Sequence, residues 1–233
     1  MPALTGDSAA TRKERPVTTC FRTLASLLLL ICVSTQGDSL IGGGGYGAGD
    51  PRGLQSSPLL RSLQEARTLR GQFTQSRTLP SLSSPLLSEG RFVLSREQGL
   101  LWLQQSPFTT RLVFSDQLMI QQVGDKLPTV LTREKDPVPF YFATLFRALL
   151  SGDWRSLQRD FQVSRTEQGL LLRPIQRQLR NAISEVRIEG QAQLERLTLV
   201  EKRGGGVEIE FRDLRGDTSP LTAEEQRLFR PLR

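Results

Sequence analysis

Histidine is missing from all 233 residues, and cysteine occurs only at Cys20 and Cys32. Both cysteines lie in "RKERPVTTCFRTLASLLLLICVSTQG". There, Arg12, Lys13, Arg15 and Arg22 precede an apolar run from Leu24 to Val33, and small or polar Ser34, Thr35 and Gly37 follow. A stable membrane-spanning helix needs roughly 20 apolar residues, and this run is shorter. The pattern predicts a secretory signal peptide over residues 1–37, cleaved near Gly37. A buried core helix and a retained membrane anchor are the alternatives. Cys32 follows Ile31, not the small residue that an acylated lipoprotein signal requires.

Removal of that segment leaves a chain without Cys or His. Disulfides, zinc sites of the Cys/His kind, cysteine nucleophiles and Ser-His-Asp triads are then excluded by residue supply. An enzyme working through carboxylates such as Asp116 and Asp125 has no supporting spacing. The expectation is a non-enzyme with no cofactor and no metal. Aromatic residues are few, at 6%, and the formal charge of +7 comes from interspersed cations, nearly all arginine. No basic-aromatic stripe marks a nucleic-acid site, so no nucleic-acid partner is expected. Attraction to an anionic membrane surface or an acidic partner stays open, beside the plainer reading of a solvated basic surface.

What is present reads as one folded unit. "SLIGGGGYGAGDPRG" is a glycine-rich tether within residues 38–56, with no face to bury and no phosphate-loop lysine. The folded domain covers 57–233. Ser57 caps a first helix, with Leu59, Leu60 and Leu63 on one stripe and Gly71 ending it. Strands follow at "GQFTQSR", "RFVLSR", "LLWLQQ", "TTRLVFS" and "QLMIQQV", a meander with hairpin-length breaks. A loop from Gly124 to Asp136 leads to the helical "PVPFYFATLFRALLSGDW". Five more strands are expected at "FQVSR", "GLLLRP", "AISEVRIE", "QLERLTLVEK" and "GVEIEFRD", with a glycine hairpin between the last two. Thr222 and Glu225 form the capping box of a terminal helix.

The expected fold class is mainly β with helices: a single curved antiparallel sheet, an incomplete barrel, with its helices on one side. Phe92 and Leu94 alternate with polar neighbours, as do Leu112 and Phe114, while Leu100 to Leu103 are apolar on both faces. Such a sheet has one apolar face and a second, partly apolar one. The middle helix carries Phe140, Tyr141, Phe142, Leu145, Phe146, Leu149 and Leu150, far more than a narrow stripe. Periodicity leaves two outcomes open, a plain core or an apolar cavity beneath a helical lid. "RGQFTQSRTL" reads as the polar rim of this sheet, with Phe73 its main apolar contribution.

These segments in this order resemble a known family. "FTQSR" after a short helix, "SEGRFVLSR", an apolar strand carrying Trp102, and "SPFTTRLVFSD" resemble the outer-membrane lipoprotein carriers of the LolA type. The later "LFRALLSGDWRSLQRDFQV", "LLLRP" and "IEFRD…LTAEEQRLF" are similar to a LolA-related branch. The resemblance spans about Pro58 to Phe229. It implies a periplasmic, monomeric carrier that shelters acyl chains of lipoproteins or related lipids. Loading by an inner-membrane ABC-type transporter and delivery to an outer-membrane receptor are implied as well. By resemblance, Phe73, Phe92, Leu94, Leu100, Trp102, Leu112 and Phe114 line the cavity, and Phe140, Phe142, Leu145, Phe146 and Leu149 form the lid. Arg96 matches the family arginine that latches the lid, but Glu97 stands where the family has proline and could pair with Arg96. A glycolipid or polyene-type cargo on the same fold, or a structural or adhesion module, are the alternatives.

Overall fold

The computed structural model describes residues 65–115, 118–135, 140–141, 144–145, 148 and 154–230, with backbone alone at 154–156. The expected signal peptide, the tether and nearly all of the first helix lie outside the described residues, as do Phe142, Phe146 and Leu149.

Eleven strands form one sheet. They are β1 (Thr68–Thr78), β2 (Leu86–Ser95), β3 (Gly99–Ser106), β4 (Thr110–Phe114), β5 (Leu118–Val123), β6 (Thr129–Thr132), β7 (Phe161–Arg165), β8 (Gly169–Pro174), β9 (Ile183–Glu189), β10 (Arg196–Glu201) and β11 (Gly206–Asp217). Short helices with described bounds accompany them, α1 (Trp154–Asp160), α2 (Arg177–Ala182) and α3 (Ala223–Phe229), and the described residues among 140–148 are helical too. The order is β6-β5-β4-β3-β2-β1-β11-β10-β9-β8-β7, all pairs antiparallel. Two meanders thus join where the first strand pairs with the last, and β6 and β7 are left as open edges. Bulges at Arg70/Gln72, Glu89/Gly90 and Val200/Glu201 interrupt the registers, which bends strands locally. The charge of Arg133, just after β6, acts on Asp160, just before β7. The two edges are therefore curled to within electrostatic reach of each other.

Several expectations are corrected. "RGQFTQSRTL" is not the rim: β1 is the central strand, flanked by β2 and β11. Its inward Phe73, Gln75 and Arg77 are all buried, and Arg77 meets Glu201 at 2.8 Å. Gly71 does not end a helix, because β1 already runs through it. Part of the expected loop 124–136 is β6, and α2 lies where no helix was expected. Both are held by tertiary pairing, since four residues of strand and six of helix are too short to show a period.

The helices do not share one side. Phe140, Leu145, Ala148, Leu157 and Leu179 join the inner cluster with residues of β1–β5 and β7–β11. By contrast, α3 sits on the opposite face, where Leu221 and Phe229 pack with Val93, Leu101, Val113 and Ile120. That contact uses the second apolar face of β2–β5. Farther along the outer face, β9–β11 carry Glu189, Arg196, Glu208, Glu210 and Arg212 as a half-exposed ion-pair lattice, which water reaches from one side.

The terminal helix is pinned at both ends. Thr222 and Glu225 complete the expected capping box. Arg70 grips the Glu225 carboxylate through Nε at 2.7 Å and Nη2 at 2.8 Å, and reaches Asp217 at 2.8 Å. At the other end, Arg111 Nη1 donates to the Leu228 carbonyl at 3.4 Å, a cation where the helix dipole is negative.

Candidate functional site: the inner face of the sheet

Registers place the inward side chains in rows across the strands. One row runs Leu69, Leu94, Leu100, Phe114, Met119. The next runs Gly71, Phe92, Trp102, Leu112, Gln121, and a third Phe73, Gly90, Gln104, Thr110, Val123. A fourth begins with Gln75 and Ser88. The face is therefore graded along the strands, aliphatic at the Ser95 end of β2 and polar at the Leu86 end.

All seven residues expected to line a cavity lie buried on this face in one cluster. They pack on one another: Phe73 stacks on Trp102 with centroids 3.7 Å apart, and Phe92 lies 6.0 Å from Trp102. Phe73 belongs to β1 and Trp102 to β3, so the ring reaches across β2, past Gly90, its register partner. Gly90 has no room for a side chain, since a Cβ would fall 2.1 Å from the Leu103 carbonyl oxygen. Phe211 on β11 meets Phe92 edge-on at 5.4 Å. It was not foreseen, although alternation in "GVEIEFRD" places Val207, Ile209 and Phe211 on one face. Met119 and Leu69 extend the first row and were also missed.

Of the expected lid residues, Phe140 and Leu145 are described, and both are helical and fully buried in the same cluster. Thr144 Oγ1 donates to the Phe140 carbonyl at 3.0 Å, and Arg133 lies 5.3 Å over the Phe140 ring. Burial raises the Tyr141 hydroxyl above its ordinary pKa, with the Asp160 charge adding to the effect. Arg96, the expected latch, is exposed at the end of β2, where Nη2 donates to the Ala66 carbonyl at 3.0 Å. Its own N–H bonds the Arg67 carbonyl at 3.1 Å. The Glu97 carboxylate accepts from Arg67. These bonds tie the β2–β3 turn to the segment that enters β1.

Buried polar atoms on this face without a hydrogen-bond partner among the described residues include Trp102 Nε1 and Ser88 Oγ. Trp102 is fully buried. A donor left without an acceptor in such a place costs about 1–3 kcal/mol. It is also the group that could bond a ligand carbonyl. No cluster of three or more metal-binding side chains occurs among the described residues.

A family model described as outer membrane lipoprotein carrier protein LolA matches residues 64–224. The chain belongs to the LolA family. This is a family of periplasmic, non-enzymatic carriers associated with lipoprotein cargo. Among solved structures, a LolA superfamily protein of Nitrosomonas europaea is 11% identical, with a TM-score of 0.42 over 76% of this chain and 97% of that one. An outer membrane lipoprotein-sorting protein domain of Vibrio parahaemolyticus is 9% identical, with a TM-score of 0.41 over 73% and 95%. No curated protein matches the chain. The open antiparallel sheet with few helices described above is the fold of this LolA-family chain.

Proposed function

We propose that this LolA-family chain is an exported periplasmic carrier that takes an acyl chain between the inner face of its sheet and the helical residues covering it. In this reading residues 1–37 direct export, 38–56 are a tether and 57–233 form the carrier domain. The observation that carries the reading is the continuous apolar row Leu69–Leu94–Leu100–Phe114–Met119, which shares one buried cluster with the helical Phe140 and Leu145. The cover on that face is helical rather than a second sheet. The cover parts, the chain lies along that row, and the ester or amide carbonyl accepts from Trp102 Nε1. An acyl tail of roughly 15 methylenes at about 0.8 kcal/mol each gives a gross gain on the order of 12 kcal/mol. Opening the cover and immobilising the chain offset much of it. In this proposal the lid includes Phe142, Phe146 and Leu149, while Arg96, bonded to the Ala66 carbonyl, fastens the segment that enters β1. Loading by an inner-membrane ABC-type transporter, release to an outer-membrane receptor and monomeric action complete the proposal.

The test is extraction of the purified full chain followed by lipid mass spectrometry and titration with a fluorescent fatty-acyl ester. Stoichiometric lipid, or saturable uptake of the ester, is expected. Trp102→Phe keeps an aromatic ring, smaller than the indole, and removes the donor, so it should weaken ester binding about tenfold more than it weakens binding of an alkane probe of equal length. A folded protein that carries no lipid and takes up no probe would instead favour a structural or adhesion module.

A further inference from the structure

Large apolar side chains are unevenly distributed over the surface. Seven are exposed among the described residues: Leu82, Leu87, Phe108, Leu118, Leu127, Val130 and Ile175. The antiparallel order sends the β1–β2, β3–β4, β5–β6, β8–β9 and β10–β11 connections to one end of the sheet. Six of the seven sit at that end, on those connections or within two residues of them, and Leu118 alone lies at the other. Leu127 is 91% exposed and Phe108 63%, values that no packing within the chain explains.

Charge follows the same axis. The five connections at this end carry Lys126, Arg177, Arg180, Lys202 and Arg203 against a single carboxylate, Asp125. Helix α1, which enters β7 here, adds Arg159 against Asp160. At the opposite end the described connections carry Glu97, Glu134, Glu167 and Glu195 against Arg96, Arg133 and Lys135, close to neutral. An acidic protein partner would be met by the cations alone. It would not account for separate apolar tips spread over several loops, which suit a surface that is soft, apolar below and anionic above.

We infer that this end of the sheet docks on an anionic lipid bilayer, with Phe108 and Leu127 entering the interface and the surrounding Lys and Arg holding lipid headgroups. Neither signal is strong alone; insertion of a few apolar side chains joined to a basic patch is the combination that gives reversible binding. Salt screens the second term and leaves the first. The inner face of the sheet is polar towards this same end, at Gln75, Ser88, Gln104 and Thr110. The docked pose therefore turns the polar end of the proposed cargo site to the membrane. Docking itself needs no cargo, so it stands or falls separately from the carrier reading.

The experiment is co-sedimentation of the full chain with vesicles of phosphatidylglycerol and phosphatidylethanolamine, and with purely zwitterionic vesicles. The variants are F108S/L127S, K202E/R203E, and E167K at the opposite end. Any binding by the N-terminal apolar segment is common to all of them, so the differences carry the result. Expected is an affinity about tenfold lower for each tip variant on anionic vesicles, no loss for E167K, and weaker binding of the unaltered chain as salt rises. Phe108→Trp should be quenched by bromine-labelled lipid more than the unaltered chain is. Equal binding of all variants, equal binding to zwitterionic vesicles, or an unquenched Trp at position 108 would overturn the inference. So would binding only to a protein partner.

Discussion

Replacing Glu225 by Gln tests what holds the terminal helix to the sheet. The Arg70 guanidinium, bonded through two nitrogens, holds the Glu225 carboxyl at about 2, and the Thr222 backbone N–H adds to the effect. An ordinary glutamate has a value of 4.5. At 1.36 kcal/mol per unit, that depression corresponds to about 3 kcal/mol of native-state stabilisation as an upper bound. The Glu225 side chain is 12% exposed and that of Arg70 24%, so solvent reduces this to roughly 2 kcal/mol. The sign follows from the depressed value. The contribution is full at pH above the unfolded carboxyl, fades as pH falls from about 4.5 towards 2, and vanishes below. Glutamine at this helix position still accepts the Thr222 N–H and completes the capping box, so the variant isolates the charge. Urea unfolding of both proteins should give a gap of about 2 kcal/mol at pH 7 that closes by about pH 2. A gap of the same size at both pH values would refute the ion-pair account, and so would no gap at neutral pH.

Two further substitutions test the core. Gly90→Ala must displace the β3 backbone, because its Cβ would meet the Leu103 carbonyl oxygen at 2.1 Å. A loss of about 1–3 kcal/mol is expected, with a change in the near-UV circular dichroism of the Phe73–Trp102 stack; a neutral melting temperature would contradict it. Arg77→Met leaves Glu201, 14% exposed, without its guanidinium. It should cost about 3–5 kcal/mol, while R77M/E201L recovers most of that. A double variant as unstable as the single one would show that the pair is not the cause.

Most of the strands were legible because one face of each is buried, so apolar and polar residues alternate at Phe92 and Leu94 or at Leu112 and Phe114. The capping box at Thr222 and Glu225 was equally plain, being local. What could not be read was whatever depends on distant partners. Arg70 and Glu225 lie far apart in the chain, and nothing near Arg70 marks it as the anchor of a terminal helix. The double apolar character of Leu100 to Leu103 was visible, yet only the sheet order shows that Leu101 faces α3 while Trp102 faces Phe73. Of the cavity candidates, the sequence brought forward the seven from β1–β4. It did not bring forward Phe211, because the pairing of the first strand with the last cannot be seen from either one.

That pairing also explains the polar strand. A central strand of a plain core would carry Val, Ile or Leu at every inward position, whereas β1 carries Phe73, then Gln75, then Arg77. Phe73 closes the aromatic part of the face by stacking on Trp102, and Arg77 is neutralised by Glu201. Between them the face passes from hydrocarbon to hydrogen-bonding groups within two strand rows. Trp102 Nε1 and Ser88 Oγ lack partners among the described residues, at a cost of about 1–3 kcal/mol each. That cost lowers the stability of the closed face but not that of one occupied by a carbonyl-bearing chain. In the carrier reading it therefore reduces the free energy needed to part the cover and increases the preference for cargo with a polar linkage over bare hydrocarbon.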